Sequence, residues 1–408
     1  MKKVQPSIKT VWLLLAATLV LASCKKMDGY NEPVSADKSV PGQVTDIKVT
    51  NFNGGAYITY TLPKSDNLLY VQARYRINDQ QYRESKSSYY SDTITVEGFE
   101  KAAEYDVVLY SVSRANVKSD SIIVKVQPET PHYQLIRPTV QYDADFGGLN
   151  IRAENPSKQP IGLILLKLDS NTNVMEIEDQ YYTDADSINF SVRGYDTMPR
   201  RFGVYVTDRW GNISDTLIQT IKPLFETLAD KSKFFEYRLS SDTEIGYGWS
   251  LSNLWNGNND GTGWHTNPGG SFPILCTFGM GQLFKISRFM VWERAGEFTY
   301  GHGNPSEFTL WGSTASSPQN AAMPLVSDVG TVVGDWVNLG NYKFPDAPSG
   351  LPPGVYDSKD EAFVRAGVNF NVPFTSPAVR FLRIGVAKTW SNADFAHLME
   401  VSVYGKPE

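Results

Sequence analysis

The sequence predicts an all-β protein with two tandem β-sandwiches followed by a third β-domain. Short runs of alternating apolar and polar residues recur from Pro41 onward, as in strands that bury one face. The 408 residues include 32 glycines, 23 prolines and 22 tyrosines, a composition typical of chains with many short strands and turns. No long amphipathic helical pattern accompanies these runs.

Residues 41–129 predict the first β-sandwich. Alternating runs crowd this segment: VTDIKVTNF, AYITYTL, LLYVQARYRI, DTITVEGF, AAEYDVVLYSVS and DSIIVKVQP. Such a density of short strands indicates a sandwich. The stretch VEGFEKAAEYDVVLYSV resembles the fibronectin type III pattern around its tyrosine corner. This resemblance implies that Tyr105 packs at a strand corner with its hydroxyl bonded to the backbone.

Residues 130–222 predict a second sandwich of the same fibronectin III or immunoglobulin-like kind. Gly54-Gly55 and Gly147-Gly148 lie 93 residues apart, and the SDS and SDT stretches at Ser119 and Ser214 lie 95 apart. Two approximate matches at nearly one period indicate a tandem repeat. The only histidine in this part, His132, stands at the domain edge and is expected to be a solvated side chain.

The N-terminus predicts export. Lys2, Lys3 and Lys9 precede an apolar run of 11 residues, Val11–Leu21, which is too short to span a bilayer and suits a signal peptide. The following LASC resembles the bacterial lipobox. This implies a signal peptide over residues 1–24, lipidation of Cys24 and a flexible tether over residues 25–40. The alternative is an ordinary signal peptide with a chance cysteine.

The residues after Cys24 bear on location. Lys25, rather than aspartate, follows the cysteine, which by the sorting rule of such lipoproteins implies the outer membrane. CKKMDGYNEP resembles the surface-export tag of Bacteroidota lipoproteins. We therefore expect a lipid-anchored protein at the outer membrane that faces the cell exterior.

Residues 230–408 predict the third β-domain and hold seven of the nine tryptophans and three of the four histidines. Five stretches in order resemble the discoidin, or coagulation factor 5/8 type C, domain: NGNNDGTGW (256–264), FTLWGS (308–313), Asp335-Trp336, VRFLRIGV (379–386) and Glu400–Gly405. The resemblance implies a jelly roll of the kind that many carbohydrate-binding modules use. The whole chain resembles lipoproteins that accompany starch-utilisation-like glycan uptake systems.

The same resemblance implies a structural Ca²⁺ in the loop that opens this domain. Its ligands would be Asn256, Asn258, Thr262 and the distant Glu400. Calcium takes six to eight oxygen ligands in a flexible shell, which a Gly/Asn-rich loop can supply. However, asparagine stands at Asn256 where the family has aspartate. The alternative is a turn whose asparagines bond their own backbone.

Two groups of aromatic residues are predicted in this domain. Trp264, Trp311 and Trp336 fall at framework positions of the resemblance and are expected in the core. Loop residues at one end of a jelly roll can stack on a sugar ring and read its hydroxyls. The predicted sugar contacts are Trp292, Arg294, Tyr300, His302 and Trp390. The alternative is that these side chains pack loop against loop.

The predicted function is non-catalytic glycan binding. The net charge is −6 and no basic stripe is present, so a nucleic-acid partner is not expected. We find no paired carboxylates and no nucleophile–histidine motif, and Cys276 in PILCTFG is expected to be a buried structural thiol. The expected partners are a polysaccharide or oligosaccharide, the outer-membrane lipid anchor and other glycan-uptake lipoproteins. The alternative is a surface interaction protein that docks a partner protein or a host matrix component.

Overall fold

The computed structural model describes residues 35–408. The predicted signal peptide, the predicted lipidation site Cys24 and residues 25–34 of the predicted tether lie outside the described residues. Over residues 35–408, none of the helices combines the length and the apolar character that crossing a membrane requires. The predicted all-β class is confirmed, since strands are the main secondary structure of the described residues and the helices there are short.

The first seven strands form two packed sheets. They are β1 (Thr45–Phe52), β2 (Gly55–Thr61), β3 (Leu68–Arg76), β4 (Tyr82–Ser88), β5 (Thr93–Glu97), β6 (Tyr105–Ser113) and β7 (Ile122–Val126). One sheet has the order β1-β2-β5 and the other β4-β3-β6-β7. Alternate residues point inward, so Ile58, Val71, Ile94 and Val107 are at most 1% exposed and form the core between the sheets.

Tyr105 forms the predicted corner of the first sandwich. Its hydroxyl donates to the Lys101 carbonyl oxygen at 3.1 Å and accepts from the Lys101 N–H at 3.3 Å. The ring packs on Phe99 with 4.5 Å between ring centroids. The role of Tyr105 is therefore structural, as the sequence indicates.

The second sandwich repeats this arrangement. A short helix (His132–Ile136) and a 3₁₀ turn (Arg137–Thr139) precede β8 (Gln141–Asp145), β9 (Gly148–Glu154), β10 (Ile161–Leu168), β11 (Met175–Thr183), β12 (Ser187–Arg193), β13 (Arg200–Asp208) and β14 (Leu217–Ile221). The sheets have the orders β12-β9-β8 and β11-β10-β13-β14, three strands against four as before.

Individual hydrogen bonds show the repeat. The Ser119 hydroxyl accepts from the Ser111 N–H at 3.0 Å, and the Ser214 hydroxyl accepts from the Val206 N–H at 2.9 Å. Each hydroxyl also donates to the carbonyl oxygen of the residue after it, at 2.8 Å and 2.7 Å. The two serines that mark the period in the sequence therefore close equivalent strands in the same way, and the predicted tandem repeat is confirmed.

The remaining strands form the C-terminal β-domain, here residues 227–408. They are β15 (Thr227–Leu228), β16 (Phe235–Glu236), β17 (Trp264–His265), β18 (Ile274–Trp292), β19 (Pro305–Ser313), β20 (Val332–Val333), β21 (Trp336–Lys343), β22 (Val368–Asn371), β23 (Val379–Thr389), β24 (His397–Leu398) and β25 (Glu400–Pro407). Its helical segments are the helix Ser358–Ala366 and the 3₁₀ turns Lys231–Lys233, Leu251–Trp255 and Gly296–Phe298.

The long strand β18 organises this domain. The main sheet has the order β15-β25-β18-β23-β19-β21-β20, and β16 and β22 also pair with β18. β17 and β24 form a separate antiparallel pair. β15 pairs with β25 although it precedes residue 230, so the sheet begins before the start that the sequence predicts for this domain. Two residues are too few to show an alternating pattern.

The core of the C-terminal β-domain agrees with the sequence interpretation. Trp264, Trp311 and Trp336 are each 0% exposed. Cys276 is also buried, and burial raises the pKa of its thiol well above the ordinary value. A thiol that stays protonated in an apolar interior is a structural group, which matches the prediction for Cys276.

Trp210 lies at the junction between the two sandwiches. Its ring lies against Gly98 of the first sandwich, where an added Cβ would be only 3.0 Å from the indole. The Arg83 guanidinium lies 3.9 Å from the centre of the same ring. Beside it, Arg209 bonds both carboxylate oxygens of Glu97 at 3.0 Å. This junction therefore combines an aromatic contact with an ion pair in which one guanidinium nitrogen bonds both carboxylate oxygens.

Glu226 joins the second sandwich to the C-terminal β-domain. Its carboxylate lies 3.2 Å from Arg193 of the sandwich and 3.1 Å from Arg288 of β18. It also accepts a hydrogen bond from the Ser287 hydroxyl at 2.5 Å. The Glu226 side chain is only 9% exposed, so this junction is largely shielded from solvent.

Candidate functional site

The structure divides the five predicted sugar contacts among three places. Trp292, at the end of β18, packs its ring on Gly367, where an added Cβ would be 2.5 Å from the indole. Tyr300 and Trp390 pack together beside one cavity. Arg294 and His302 lie in a second cluster of rings. The loops therefore do not form a single binding platform from all five residues.

Tyr300 and Trp390 are held from inside the domain. Their ring centroids are 5.0 Å apart, and Tyr300 is only 1% exposed. The Trp390 indole N–H donates to the Glu293 carboxyl at 3.3 Å. Glu293 is itself 1% exposed, and burial raises its pKa well above the usual range. The two rings line a cavity of about 330 Å³ with the segment 346–353.

Three histidines converge close to this end of the domain. His265, His302 and His397, here called the histidine cluster, each place one ring nitrogen within 4.8 Å of the others. His265 and His397 are directly opposite one another in the β17–β24 pair. His302 lies in the loop after the 3₁₀ turn Gly296–Phe298. Strand pairing therefore fixes two of the rings, and a loop brings the third.

The loop that carries His302 has an unusual backbone. Tyr300 and His302 have φ values of 50° and 53°, in the left-handed region that side-chain-bearing residues seldom adopt. Between this loop and β24, Gly303 permits close approach, since an added Cβ would be 2.8 Å from the Phe395 ring and 3.0 Å from His397. Such strain persists where surrounding contacts determine it, and it is common at binding sites.

Hydrogen bonds orient the three imidazoles. His302 Nδ1 is 2.9 Å from His397 Nε2, which also accepts from the Gly303 N–H at 3.2 Å. His265 Nδ1 is 2.8 Å from the Thr266 carbonyl oxygen, so this nitrogen carries the proton and donates. Burial lowers the pKa of all three rings below the ordinary value, most strongly for His397. The cluster is therefore neutral near pH 7.

Aromatic rings and one arginine surround the cluster. Tyr247 and Trp249 lie 4.7 Å and 5.3 Å from the His265 ring by centroid, and Tyr247 is 67% exposed. The Arg294 guanidinium lies 3.6 Å from the centre of the Phe298 ring and 5.4 Å from that of Trp249. Within residues 35–408 no carboxylate forms an ion pair with Arg294, although burial lowers the pKa of both Arg294 and His302 and the nearby Glu297 acts to raise it. We call Tyr247, Trp249, Arg294, Phe298 and His302 the aromatic rim.

Sequence reasoning found only two members of the rim. It missed Tyr247, Trp249 and Phe298, together with His265 and His397 of the histidine cluster. One usable signal was present, namely that His265 directly follows the core residue Trp264. Successive strand residues point to opposite faces, so a buried Trp264 indicates that His265 lies on the other side of β17.

The predicted calcium ligands have other partners. Glu400 is 2% exposed, and its carboxylate contacts the Lys231 ammonium and accepts from the Gly257 N–H at 3.0 Å. The Asn256 side-chain oxygen accepts from the Asn258 N–H at 2.7 Å, and that of Asn258 accepts from the Asp260 N–H at 3.0 Å. Thr262 is exposed.

This donor set does not fit Ca²⁺. The one buried carboxylate of the set, Glu400, is already paired with the Lys231 ammonium. The two asparagine oxygens close local turns, as in the alternative interpretation of the loop. Burial raises the pKa of Glu400, and the Lys231 ammonium opposes that shift. The loop is therefore braced by an internal ammonium group.

We expect Lys231→Met to lower the stability of the C-terminal β-domain by about 1–3 kcal/mol, because it leaves a buried carboxylate without its charge partner. We also expect added Ca²⁺ to leave the melting temperature of the chelator-treated wild-type chain unchanged. Thermal unfolding of the mature protein checks both. Lys233→Met, at an exposed lysine two residues away, is the control. A calcium-dependent rise in melting temperature would contradict this assignment.

Comparisons with known proteins can now be placed beside this geometry. Family models described as domains of unknown function match residues 41–128 (DUF4959), 129–232 (DUF5126) and 253–405 (DUF5000). No curated protein is similar to the chain. Together the fold and the site define a three-part β-protein whose last domain presents an aromatic, histidine-rich end.

Several solved structures are similar in part. A SusE-like protein is 26% identical, and the match covers 68% of this chain and 100% of that one with a TM-score of 0.42. The C-terminal domain of a chitobiase from Bacteroides fragilis is 18% identical over 45% of this chain and 95% of its own, with a TM-score of 0.25. A two-domain fibronectin type III segment of chicken tenascin is 9% identical over 44% and 99%, with a TM-score of 0.22. The fold description rests on the strand pairing given above.

Proposed function

We propose that this protein is a non-catalytic lipoprotein of the outer membrane that captures glycan with its C-terminal β-domain. The aromatic rim is the observation that supports this most directly. It combines a widely exposed ring, Tyr247, with a guanidinium group and an imidazole that form no ion pair with a carboxylate among residues 35–408. Sugars bind where an aromatic face meets the C–H face of the ring and planar polar groups meet the hydroxyls.

In this proposal each rim residue has a defined task. Tyr247 stacks on the sugar, and Trp249 and Phe298 extend the apolar floor. Arg294, held over Phe298 at 3.6 Å, presents its N–H donors to vicinal hydroxyls or a ring oxygen. His302 is exposed and adds a further polar contact. Because Arg294 is held by rings, it loses little freedom when ligand binds.

The cavity beside Tyr300 and Trp390 is a second location to be tested. Its walls, which include Leu351 and Pro353, are mostly apolar, and both aromatic rings are held from within. Burial raises the pKa of Glu293, the buried acid at this end, and its carboxyl accepts a hydrogen bond from the Trp390 indole. A carboxyl in that position helps to hold the Trp390 ring in place.

The remaining parts of the proposal come from the sequence. The LASC lipobox supports anchoring through Cys24, and the lysines after it support an outer-membrane location that faces the exterior. One of the similar solved structures is a SusE-like protein, which supports a place among glycan-uptake lipoproteins. Single-site glycan binding is weak, so many anchored copies would act through avidity.

A glycan array followed by affinity gel electrophoresis tests the proposal on the mature chain. We expect a retarded band with at least one polysaccharide, and a loss of affinity of at least tenfold in Arg294→Ala and in Tyr247→Ala. The matched controls are Arg380→Ala and Tyr90→Ala, which change exposed residues of the same types away from the rim.

The variants also locate the ligand. Loss of binding only in Leu351→Ala, at the exposed wall of the cavity, would move the glycan from the rim to the Tyr300–Trp390 cavity. Binding only to a co-purified protein would reject glycan capture and favour a role as an interaction protein. Release of reducing sugar by the purified chain would reject the non-catalytic assignment.

A further inference from the structure

We propose that the histidine cluster is a binding site for a divalent first-row transition metal, with Zn²⁺ as the best-suited ion. Imidazole nitrogens are ligands that zinc, copper and nickel share, and three histidines with an open fourth position form a well-known type of zinc site. This inference does not depend on the glycan proposal, since it concerns the metal alone.

The geometry is close to what such an ion requires. Zinc–nitrogen bonds of about 2.0–2.1 Å in a tetrahedron separate neighbouring nitrogens by about 3.4 Å. One nitrogen of each ring lies within 4.8 Å of the other two, and the distance from His302 Nδ1 to His397 Nε2 is 2.9 Å. Small ring rotations are therefore enough to surround an ion, and the chain needs no rearrangement of its strands.

The hydrogen bond made by His265 orients its ring in a way that suits metal binding. His265 donates Nδ1–H to the Thr266 carbonyl oxygen, which leaves the lone pair on Nε2. Metal-bound histidines commonly make this hydrogen bond with their second nitrogen, because it fixes the ring and the tautomer.

His397 gives a second indication. Its Nδ1 is buried and makes no hydrogen bond within residues 35–408. Its Nε2 accepts a hydrogen bond from the Gly303 N–H and also lies 2.9 Å from His302 Nδ1. Metal binding would require the Gly303 N–H to move off Nε2, a shift within the strained loop described above. The Gly303 position has no side chain, so the loop can adjust.

The fourth coordination position would face solvent. His397 and His265 are 0% and 4% exposed, whereas His302 is exposed at the surface. An ion held by all three rings would therefore be covered on the protein side and open near Tyr247 and Arg294. That position would take water or an oxygen atom of a ligand. The competing interpretation is a hydrogen-bonded stack of rings that binds no ion.

Titration of the chelator-treated mature chain with Zn²⁺ alone separates these interpretations. We expect one equivalent bound per chain, a rise in melting temperature, and at least tenfold weaker binding in both His302→Ala and His265→Ala. His302 is exposed, so its variant should fold. His132→Ala is the matched control, because it changes the one remaining histidine, far along the chain in the second sandwich.

Cobalt substitution gives an independent readout. Co²⁺ in a nitrogen-rich tetrahedral site should produce visible ligand-field absorption in the wild-type chain and in His132→Ala, and none in His302→Ala. The proposal is overturned if Zn²⁺ binding is absent, is not stoichiometric, or persists unchanged in His302→Ala. Glycan binding by the chelated chain is scored separately, so failure of either proposal is visible without the other.

Discussion

Replacing Asp242 by alanine is expected to destabilise the C-terminal β-domain by about 3–5 kcal/mol. Arg383, on β23, is 0% exposed, and its guanidinium lies 3.2 Å from the Asp242 carboxylate, which is 4% exposed. The same carboxylate accepts from the Thr277 hydroxyl at 2.8 Å and from the Leu239 N–H at 2.9 Å. Removing it leaves a buried cation without its carboxylate and leaves the Thr277 hydroxyl and the Leu239 N–H without this acceptor, and this loss is larger than that of a surface ion pair.

Urea unfolding of the mature chain, followed by tryptophan fluorescence, measures this effect. Seven of the nine tryptophans lie in residues 230–408, so the signal reports mainly on this domain. Asp242→Asn keeps one acceptor oxygen, replaces the other with an NH₂ donor and removes the charge, and it should fall between the wild type and Asp242→Ala. Asp328→Ala, at an exposed carboxylate, should change stability by less than about 0.5 kcal/mol. An Asp242→Ala midpoint equal to that of Asp328→Ala would reject the argument.

Trp264→Ala should have a comparable effect, about 3–5 kcal/mol, because it empties a fully buried indole site in the main core. Trp264 pairs with Leu398 in the β17–β24 ladder, next to the His265–His397 pair. Its removal should therefore also loosen the two rings that strand pairing holds in the histidine cluster. Stability and Zn²⁺ affinity should decline together in this variant.

Trp264→Phe is the informative control. The Trp264 indole N–H makes no hydrogen bond within the described chain, so phenylalanine removes volume without removing a bond. We expect Trp264→Phe to lose less than half as much stability as Trp264→Ala. Circular dichroism during urea unfolding checks this without relying on the replaced fluorophore. Trp249→Ala, at a partly exposed ring of the rim, should leave the unfolding midpoint nearly unchanged.

The fold could be predicted from the sequence because the sequence patterns that indicate it are local. Alternation along each strand shows which side chains point inward, and Ser119 and Ser214 mark the same hydrogen bond in two copies. The core positions of Trp264 and Cys276 also follow from short stretches. What these signals share is that a few neighbouring residues determine them.

The site could be predicted from the sequence only in part, because it depends on long-range contacts. His265 and His397 meet through strands more than 130 residues apart, and no local pattern announces that pairing. For the same reason the calcium hypothesis could not anticipate Lys231, which lies 169 residues from its partner Glu400. Trp292 has the kind of side chain that stacks on sugars. In the structure, however, its ring packs on Gly367, which follows the helix Ser358–Ala366.

The two junctions between domains should respond differently to ionic strength. Arg209 and Glu97 are 56% and 35% exposed, so salt at physiological concentration, with a Debye length of about 8 Å, screens their attraction. Glu226 is 9% exposed between two arginines that are about equally shielded, and mobile ions reach it poorly. As salt rises, the junction between the two sandwiches should therefore weaken first, while the Glu226 junction should change little.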